Sequence, residues 1–387
     1  MIKALRGMKD IVEDKRFLKI FDTAREIATK YGYEYIETPI LEETRLFKRS
    51  VGESSDIVNK EMYQFIDKGG NDVCLRPEGT AGVVRSYIEH KFDRQQVAKR
   101  FWYFGPMFRY ERPQKGRLRE FHQFGIESFK EDSVYEDIQI ISMAADIFKS
   151  LGIEFTLKIN SLGCNECMPS YKDKLVSFLD VNEDGLCEDC KRRKTQNPIR
   201  TLDCKVESCQ NILKDAPKIT DNLCESCNRD FEILKEGLKS LGIEFEVDKH
   251  LVRGLDYYTK TTFEFVSTKI GAQSAIAGGG RYDRLVEFLG GKETPAVGFA
   301  IGVERILDLV EVEEKRDGIY IGCLIDNAME FALKEAHKLR KDKRVFFEPK
   351  IKSLKAHLKA ADKGMFKYAY IVGEEELSKK EFFIKEL

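Results

Sequence analysis

The sequence runs to 387 residues, 34% of them charged and 42% hydrophobic, with 65 Lys and Arg against 66 Asp and Glu. That length allows two or three domains, because single cores rarely grow past about 250–300 residues. The composition excludes a disordered or membrane-embedded chain, and a net charge of −1 excludes any global pull on nucleic acid, so RNA contact must come from local basic patches.

The first residues, Met1-Ile-Lys-Ala-Leu-Arg-Gly-Met-Lys-Asp10, hold no apolar run of signal-peptide length. The longest apolar stretch, Ala296 to Val303, falls far short of a bilayer span. The expectation is a cytoplasmic protein with reduced thiols, where closely spaced cysteines favour metal over disulfide.

In chain order, Phe17, Ile20, Phe21, Ala24, Ile27, Ala28 and Tyr31 recur at spacings of three and four and predict an amphipathic helix ending at Gly32. Two aromatic-rich runs, Arg100–Tyr110 and Arg119–Phe129, flank a basic segment with Pro and Gly, which predicts an antiparallel hairpin with a long charged tip. Strand alternation puts Gln123, Gly125 and Glu127 on one face and Phe124 and Ile126 on the other. Apolar backing behind a Gln/Gly/Glu front suits a pocket floor; an edge strand with a solvated front is the plain alternative.

From Asn160 to about Phe231 strands are hard to find and eight of the ten cysteines gather, the signature of an inserted module. The strand pattern resumes at Glu244–Val252 and Thr261–Val266. It closes with a helix from about Gly302 to Val310, in which Val303, Ile306, Leu307 and Val310 form the buried stripe. After the charged linker Glu311–Asp317, strand Ile319–Ile325, helix Ala328–Lys341, strand Val345–Phe347, helix Ser353–Lys363 and strand Tyr368–Val372 predict a small α/β unit with a mostly parallel sheet.

Arg109 and Arg253 each sit on a short strand beside polar and aromatic groups. A guanidinium held near a core stays charged and needs an anion, ideally a carboxylate or a phosphate. Together with Glu78-Gly79-Thr80 and the glycine run at 278–280, they suggest a pocket for an anionic, phosphate-bearing intermediate. Two structural ion pairs, with Glu111 and Asp256 as local partners, are the alternative. The glycine run lacks the Gly-Lys-Ser/Thr of a phosphate loop and suits close backbone approach to a ligand. The five histidines join no Cys/His cluster and read as structural or surface residues.

The cysteines of the module form four close pairs, Cys164/Cys167, Cys187/Cys190, Cys204/Cys209 and Cys224/Cys227, enough for two tetrahedral four-thiolate zinc sites. An insertion enters and leaves its host at neighbouring points, so the outer pairs should share one ion and the inner pairs the other. Such sites are structural, since thiolates fill every position. Reduced, buried thiols without metal are the alternative.

The strings Leu75-Arg-Pro-Glu-Gly-Thr80, Gly105-Pro-Met-Phe-Arg109, Arg253-Gly-Leu-Asp-Tyr-Tyr258 and Gly298-Phe-Ala-Ile-Gly-Val-Glu-Arg305 carry a resemblance. The chain resembles the histidyl-tRNA synthetases, a family of class II aminoacyl-tRNA synthetases. The resemblance implies an α+β catalytic domain with a mostly antiparallel sheet over 1–310, the cysteine-rich insertion over 160–231 within it, and a short anticodon-binding-like α/β domain over 318–387. It also implies ATP-dependent activation of histidine to histidyl-adenylate, with ATP as its Mg²⁺ complex, and transfer of histidine to its tRNA. By it Arg109 holds the α-phosphate with the substrate carboxylate. Arg253 acts from the opposite side, in a role other class II enzymes give to a metal ion.

The implied histidine contacts are Glu78, Gly79, Thr80, Arg109, Gln123, Glu127, Arg253, Tyr257 and Tyr258, with Glu127 and Tyr258 on the imidazole and Glu78, Thr80 and Gln123 on the ammonium. The implied ATP contacts are Arg109, Glu111, Arg117 and Arg305. Arg305 would meet the γ-phosphate together with the N-terminus of its helix. Pro39, in Ile36-Glu-Thr-Pro39, resembles a dimer-interface motif and implies a homodimer. Lys191–Lys194 would lie near the tRNA acceptor end. Two departures stand out: the C-terminal domain stops at Leu387 where a further strand or helix is expected, and many members lack the cysteine pairs. The rival reading is a non-catalytic, synthetase-like regulatory subunit of histidine biosynthesis; such paralogues lack the anticodon-binding domain and have decayed sites.

Overall fold

The computed structural model describes residues 2–52, 55–253, 257–270 and 275–387. Helix α1 (Lys15–Lys30) starts where Asp14 accepts a hydrogen bond from the Arg16 backbone N–H at 3.0 Å and stops before Gly32, which takes a left-handed φ of +82°. Short strands β1 (Glu34–Tyr35) and β2 (Leu41–Glu43), helix α2 (Thr44–Val51), and strands β3 (Gln64–Ile66) and β4 (Asp72–Leu75) follow. Helix α3 (Thr80–Glu89) leads into the hairpin β5 (Lys99–Phe108) and β6 (Glu120–Phe129), then helix α4 (Val134–Ser150) and strand β7 (Thr156–Ser161).

The insertion is helical: α5 (Cys167–Val181), α6 (Glu188–Gln196) and α7 (Glu207–Leu213). Its predicted end near Phe231 falls inside α8 (Glu225–Ser240), which begins beside the last cysteine pair and ends against α4, where Gly237 lets Ile138 approach. Strands β8 (Glu246–Val247), β9 (Thr259–Val266) and β10 (Ala275–Arg281), helix α9 (Leu285–Phe288), strand β11 (Ala296–Gly302) and helix α10 (Val303–Ile306) complete the first unit.

Two compact units emerge, one ending at Glu311 and one from Val312 to Leu387. The second carries β12 (Ile319–Cys323), α11 (Met329–Leu339), β13 (Val345–Phe347), α12 (Leu354–Lys363), β14 (Tyr368–Val372), α13 (Glu374–Lys379) and β15 (Phe383–Glu386). Its sheet runs β13-β12-β14-β15, parallel except where β15 adds antiparallel to β14. Among the described residues no helix is long and apolar enough to cross a membrane.

The main sheet has the order β1-β5-β6-β11-β10-β9-β7-β8, antiparallel throughout except for the two-residue edge pairings of β1 and β8. The expected strand over Glu244–Val252 shrinks to Glu246–Val247, which pair with Lys158 and Ile159 of β7. The expected helix from Gly302 to Val310 is four α-helical residues followed by a 3-10 turn at Leu307–Leu309, with Val303, Ile306 and Val310 buried and Leu307 only half-buried.

One sheet face is apolar. Trp102, Ile126, Phe299 and Phe263 lie in one cross-strand row, all buried, and Phe265 packs on Phe148 of α4 with ring centroids 5.2 Å apart. Each such side chain contributes roughly 1.5–3 kcal/mol by leaving water. The opposite face carries two rows, Glu264–Gly278–Ala300–Gly125–Tyr103 and Thr262–Gly280–Gly298–Glu127–Phe101. Small residues at the centre of both rows leave a hollow on that face of the sheet. The hollow is the cavity.

Candidate active site

The cavity is lined by Glu78, Thr80, Arg109, Glu111, Arg117, Gln123, Glu127, Arg253, Tyr257, Tyr258 and Arg305, so the structure brings together every residue expected at the histidine and ATP sites except Gly79. Gly79 stands just behind the wall: a Cβ there would fall 2.3 Å from the Tyr103 ring, and one at Gly125 would fall 2.2 Å from the same ring. The two glycines form a slot that seats Tyr103. None of the five histidines lines the cavity.

Glu127 is buried and faces hydroxyls rather than cations. Thr80 Oγ1 donates to its Oε1 at 2.7 Å, Tyr103 donates more weakly at 3.5 Å, and Tyr282 donates to Oε2. Burial outweighs these donors and pushes its carboxyl up to about 8. Gly298, directly across the strand pair, makes room for it, since a Cβ there would lie 2.1 Å from Glu127 Oε2.

Glu78 caps α3, its two oxygens accepting from the backbone N–H groups of Thr80 at 2.7 Å and Ala81 at 2.9 Å. Burial raises its carboxyl above the usual carboxylate range, and those backbone donors oppose the rise. Gln123 Oε1 is buried with no hydrogen-bond partner among the described residues. An orphaned acceptor of this kind costs about 1–3 kcal/mol and is explained by a donor that arrives with a ligand. In the same cavity as Glu78, it suits an ammonium.

Arg253 binds Glu264 Oε2 through Nη1 at 2.5 Å, and its Nε is buried without a partner among the described residues. Its guanidinium occupies the space over Gly278, where a Cβ would fall 2.1 Å from Nη2. The close approach expected of the glycine run is therefore made by an arginine of the chain itself at Gly278, and at Gly279 by Gly298 O, 2.2 Å from where a Cβ would stand. Asp256, the partner of Arg253 in the alternative of structural ion pairs, lies outside the described residues; among those described, Glu264 pairs with Arg253.

Arg109 donates from Nε to Pro77 O at 2.9 Å, with its guanidinium 5.3 Å from the Phe121 ring centroid. Glu111, the partner of Arg109 in the alternative of structural ion pairs, pairs instead with Arg117. Arg305 donates to Ala275 O at 2.7 Å; burial and the nearby charges of Arg117 and Arg109 lower its pKa. Its helix has only four residues before the 3-10 turn, so little dipole stands behind Arg305. Arg305 stands instead among other cations. Tyr258 faces the cavity beside Arg253, while Tyr257 is mostly core, packed on Tyr258 and Tyr282 at 4.7 and 5.6 Å.

Sequence reasoning missed Tyr103, Tyr282, Glu264 and Gly298. Glu264 alternates with buried Phe263 and Phe265, a signal that it faces the hollow. Gly298 has no local signal, because its role follows from strand register.

In the insertion, Cys164, Cys167, Cys224 and Cys227 gather in one group and Cys187, Cys190, Cys204 and Cys209 in another, the sulfurs of each within 4.8 Å of one another. The separations Cys164–Cys167 at 3.7 Å, Cys164–Cys224 at 3.8 Å and Cys187–Cys204 at 3.8 Å match the ~3.8 Å edge of a tetrahedron with thiolates ~2.3 Å from zinc. Backbone N–H groups of Cys187 and Cys224 donate to Cys209 and Cys167 sulfurs at 3.1 Å. All ten cysteines are free. The basic run is neutralised within the protein: Lys191 pairs with Glu188, Arg192 with Asp189, Arg193 with Asp56, and Lys194 with Asp180 and Glu183.

A profile of the family described as histidyl-tRNA synthetase matches residues 12–306. The histidine–tRNA ligase of Sulfurovum sp. (strain NBC37-1) is 61% identical over 390 residues, covering 100% of this chain and 97% of that protein. The crystal structure of apo S. aureus histidyl-tRNA synthetase is 34% identical, covers 100% of this chain and 97% of that one, and superposes with a TM-score of 0.81. A Bacillus halodurans structure described as an ATP phosphoribosyltransferase regulatory subunit/histidyl-tRNA synthetase shares the fold at 21% identity, with a TM-score of 0.68 and coverage of 93% and 96%.

Proposed function

The chain belongs to the histidyl-tRNA synthetase family, and from that premise we propose how the residues of its cavity divide the work. The reaction is ATP-dependent activation of histidine followed by transfer of histidine to its tRNA. In the first step a carboxylate oxygen of histidine attacks the α-phosphorus, the bond to the bridging oxygen breaks, and pyrophosphate leaves. The protein has little covalent chemistry to do, so its contribution is alignment and neutralisation of oxygen charge.

Arg109 holds the carboxylate and α-phosphate from one side and Arg253, braced by Glu264, from the other. Arg117, held by Glu111, and Arg305 take the outer phosphates of ATP, which arrives as its Mg²⁺ complex. Glu78, Thr80 and Gln123 accept from the ammonium. Glu127 and Tyr258 frame the imidazole, one accepting and one adaptable. Pockets that hydrogen-bond a polar side chain reject analogues lacking it by roughly 10⁴–10⁵. Gly79 and Tyr257 act indirectly, seating Tyr103 and packing behind Tyr258.

One observation carries this reading: a single cavity gathers Arg109, Arg117, Arg253 and Arg305 with a buried Glu127 and an unpaired Gln123 oxygen. A decayed regulatory paralogue has no use for that set, so the enzyme reading is preferred to the regulator. Removing Arg253 with Arg253→Ala should lower the rate of histidine-dependent ATP–pyrophosphate exchange by about 10²–10³, the cost of one oxyanion-type donor. Exchange within a few-fold of the parent would sink its assigned role.

The cysteine fours are read as two structural zinc sites. The support is their sulfur spacing and the sulfur-directed backbone donors. Zinc would be held by thiolates at all four positions, fixing a module that buries only a small core. A homodimer in the cytoplasm completes the reading, on the strength of the Pro39 motif and of cysteine pairs spaced for metal rather than for disulfides.

A further inference from the structure

The insertion touches the pocket's two walls at its two ends. Its root is tied to the wall that bears Arg253 and Tyr258. Leu162 N donates to Lys260 O at 2.7 Å and Lys260 N donates to Gly163 O at 2.8 Å, two residues beyond Tyr258 and one before Cys164 of the outer cysteine site. Its far end meets the opposite wall. Helix α6 is gripped at its start by Cys187 and Cys190 of the inner site, and one turn later Arg193 reaches out of the module. Arg193 Nη2 binds Asp56 at 3.0 Å while Nη1 donates to Arg200 O at 3.4 Å, which fixes the guanidinium from its own side.

Asp56 is the residue before a single π-helical turn, Ile57–Glu61. At the end of that turn Glu61 O accepts from Tyr110 N at 2.6 Å, so the turn is bonded to the residue after Arg109. The Glu61 carboxyl also feels the charges of Glu111, Arg109 and Arg117. The path from the insertion to the phosphate end is thus short and made of direct contacts: Arg193, Asp56, the turn, Tyr110, Arg109. Single π turns recur at functional sites. Within the segment Asp56 also pairs with Lys60 at 3.2 Å, and Arg193 adds the bond that comes from the insertion.

We propose that Arg193 is a positioning residue for adenylate formation, and that the insertion is a strap tying the Arg253 wall of the pocket to the Arg109 wall. The inference rests on the reading of the cysteine fours as zinc sites, which stiffen the strap at root and tip. Two arginines that must bracket one phosphorus need a fixed separation. A connection between their walls supplies it without touching substrate.

The test is a double-mutant cycle in the full-length protein, read by histidine-dependent pyrophosphate exchange. Arg193→Ala and Asp56→Ala should each lower kcat about five- to tenfold, below the 10²-fold that a full 1 Å misplacement can cost, and leave KM for histidine within about twofold. The double variant should be no slower than either single one, and the charge-swapped pair R193D/D56R should recover at least about half of the lost rate. Thermal melting temperature and zinc content should match the parent in all variants, which separates positioning from folding. A wild-type protein without zinc would overturn the metal part of the strap while leaving the arginine result readable. Exchange by Arg193→Ala within twofold of wild type, multiplying losses in the double variant, or no recovery in the swapped pair would overturn the proposal.

Discussion

Replacing Gly278 by alanine should leave the fold standing and stop the chemistry. The new Cβ would lie 2.1 Å from Arg253 Nη2, 2.2 Å from Cζ and 2.3 Å from Nη1. Carbon contacts settle near ~3.5–4.0 Å, so the guanidinium must retreat by well over ~1 Å. It is the free end of a flexible side chain and can do so, but it then loses its 2.5 Å bond to Glu264 and its aim into the cavity. The stability terms are small and opposed. Alanine in a strand gains roughly 0.5–1 kcal/mol over glycine, and a partly exposed ion pair is worth about 0–1 kcal/mol. The catalytic term is large, about 10²–10³ in kcat or ~2.7–4 kcal/mol. Gly279→Ala is the control. Its Cβ would meet the Gly298 backbone oxygen at 2.2 Å and Phe263 and Phe299 at 2.7 Å, groups that cannot retreat without parting the strands. That overpacking should cost at least about 1–3 kcal/mol. Pyrophosphate exchange and thermal melts on both variants decide the matter. If G278A keeps more than about a tenth of the wild-type kcat at an unchanged melting temperature, Arg253 does not act from that seat.

The Glu127 carboxyl is held up to about 8 by burial, whereas in the unfolded chain it ionises near ~4.3. Its contribution to stability is therefore fully present below about pH 4 and lost as the pH rises towards 8. Melts of the ligand-free protein should lose stability across that window. Glu127→Gln should flatten part of the slope and raise KM for histidine, and parallel slopes would refute the assignment. Ending the chain near Val310 should leave histidine activation largely intact and greatly weaken tRNA charging, because every proposed ligand lies in the unit that ends at Glu311; equal loss of both would show that the second unit is needed for folding. Elemental analysis of chelator-washed, reduced protein should find about two zinc ions per chain. Finding none, with all ten thiols titrating in the native state, would reject the metal.

Local patterns carried much of this architecture. The α1 stripe, the aromatic hairpin and the alternating C-terminal unit each bury a face that neighbouring residues in the chain define, so spacing alone located them. The arginines of the site were legible because a buried guanidinium demands an anion. What escaped depends on register between distant strands. Gly298 matters because it faces Glu127, and Gly278 because Arg253 lies over it; neither neighbour is near in sequence. Tyr282 reads as a core aromatic and becomes a donor to Glu127 only once β10 and β6 share a sheet face. Arg305 misled for the converse reason: its helix ends after four residues, too soon to build the dipole expected of it. The acidic partners of Lys191–Lys194 that stand elsewhere in the chain, Asp56, Asp180 and Glu183, could not be read from the run itself.

The central claim is that this cavity activates histidine and no other amino acid. ATP–pyrophosphate exchange, run on the purified wild-type protein with each standard amino acid in turn, tests it most directly. The account predicts exchange with histidine alone, with other amino acids lower by at least about 10⁴. Equal exchange with a second amino acid, or none with histidine, would contradict it.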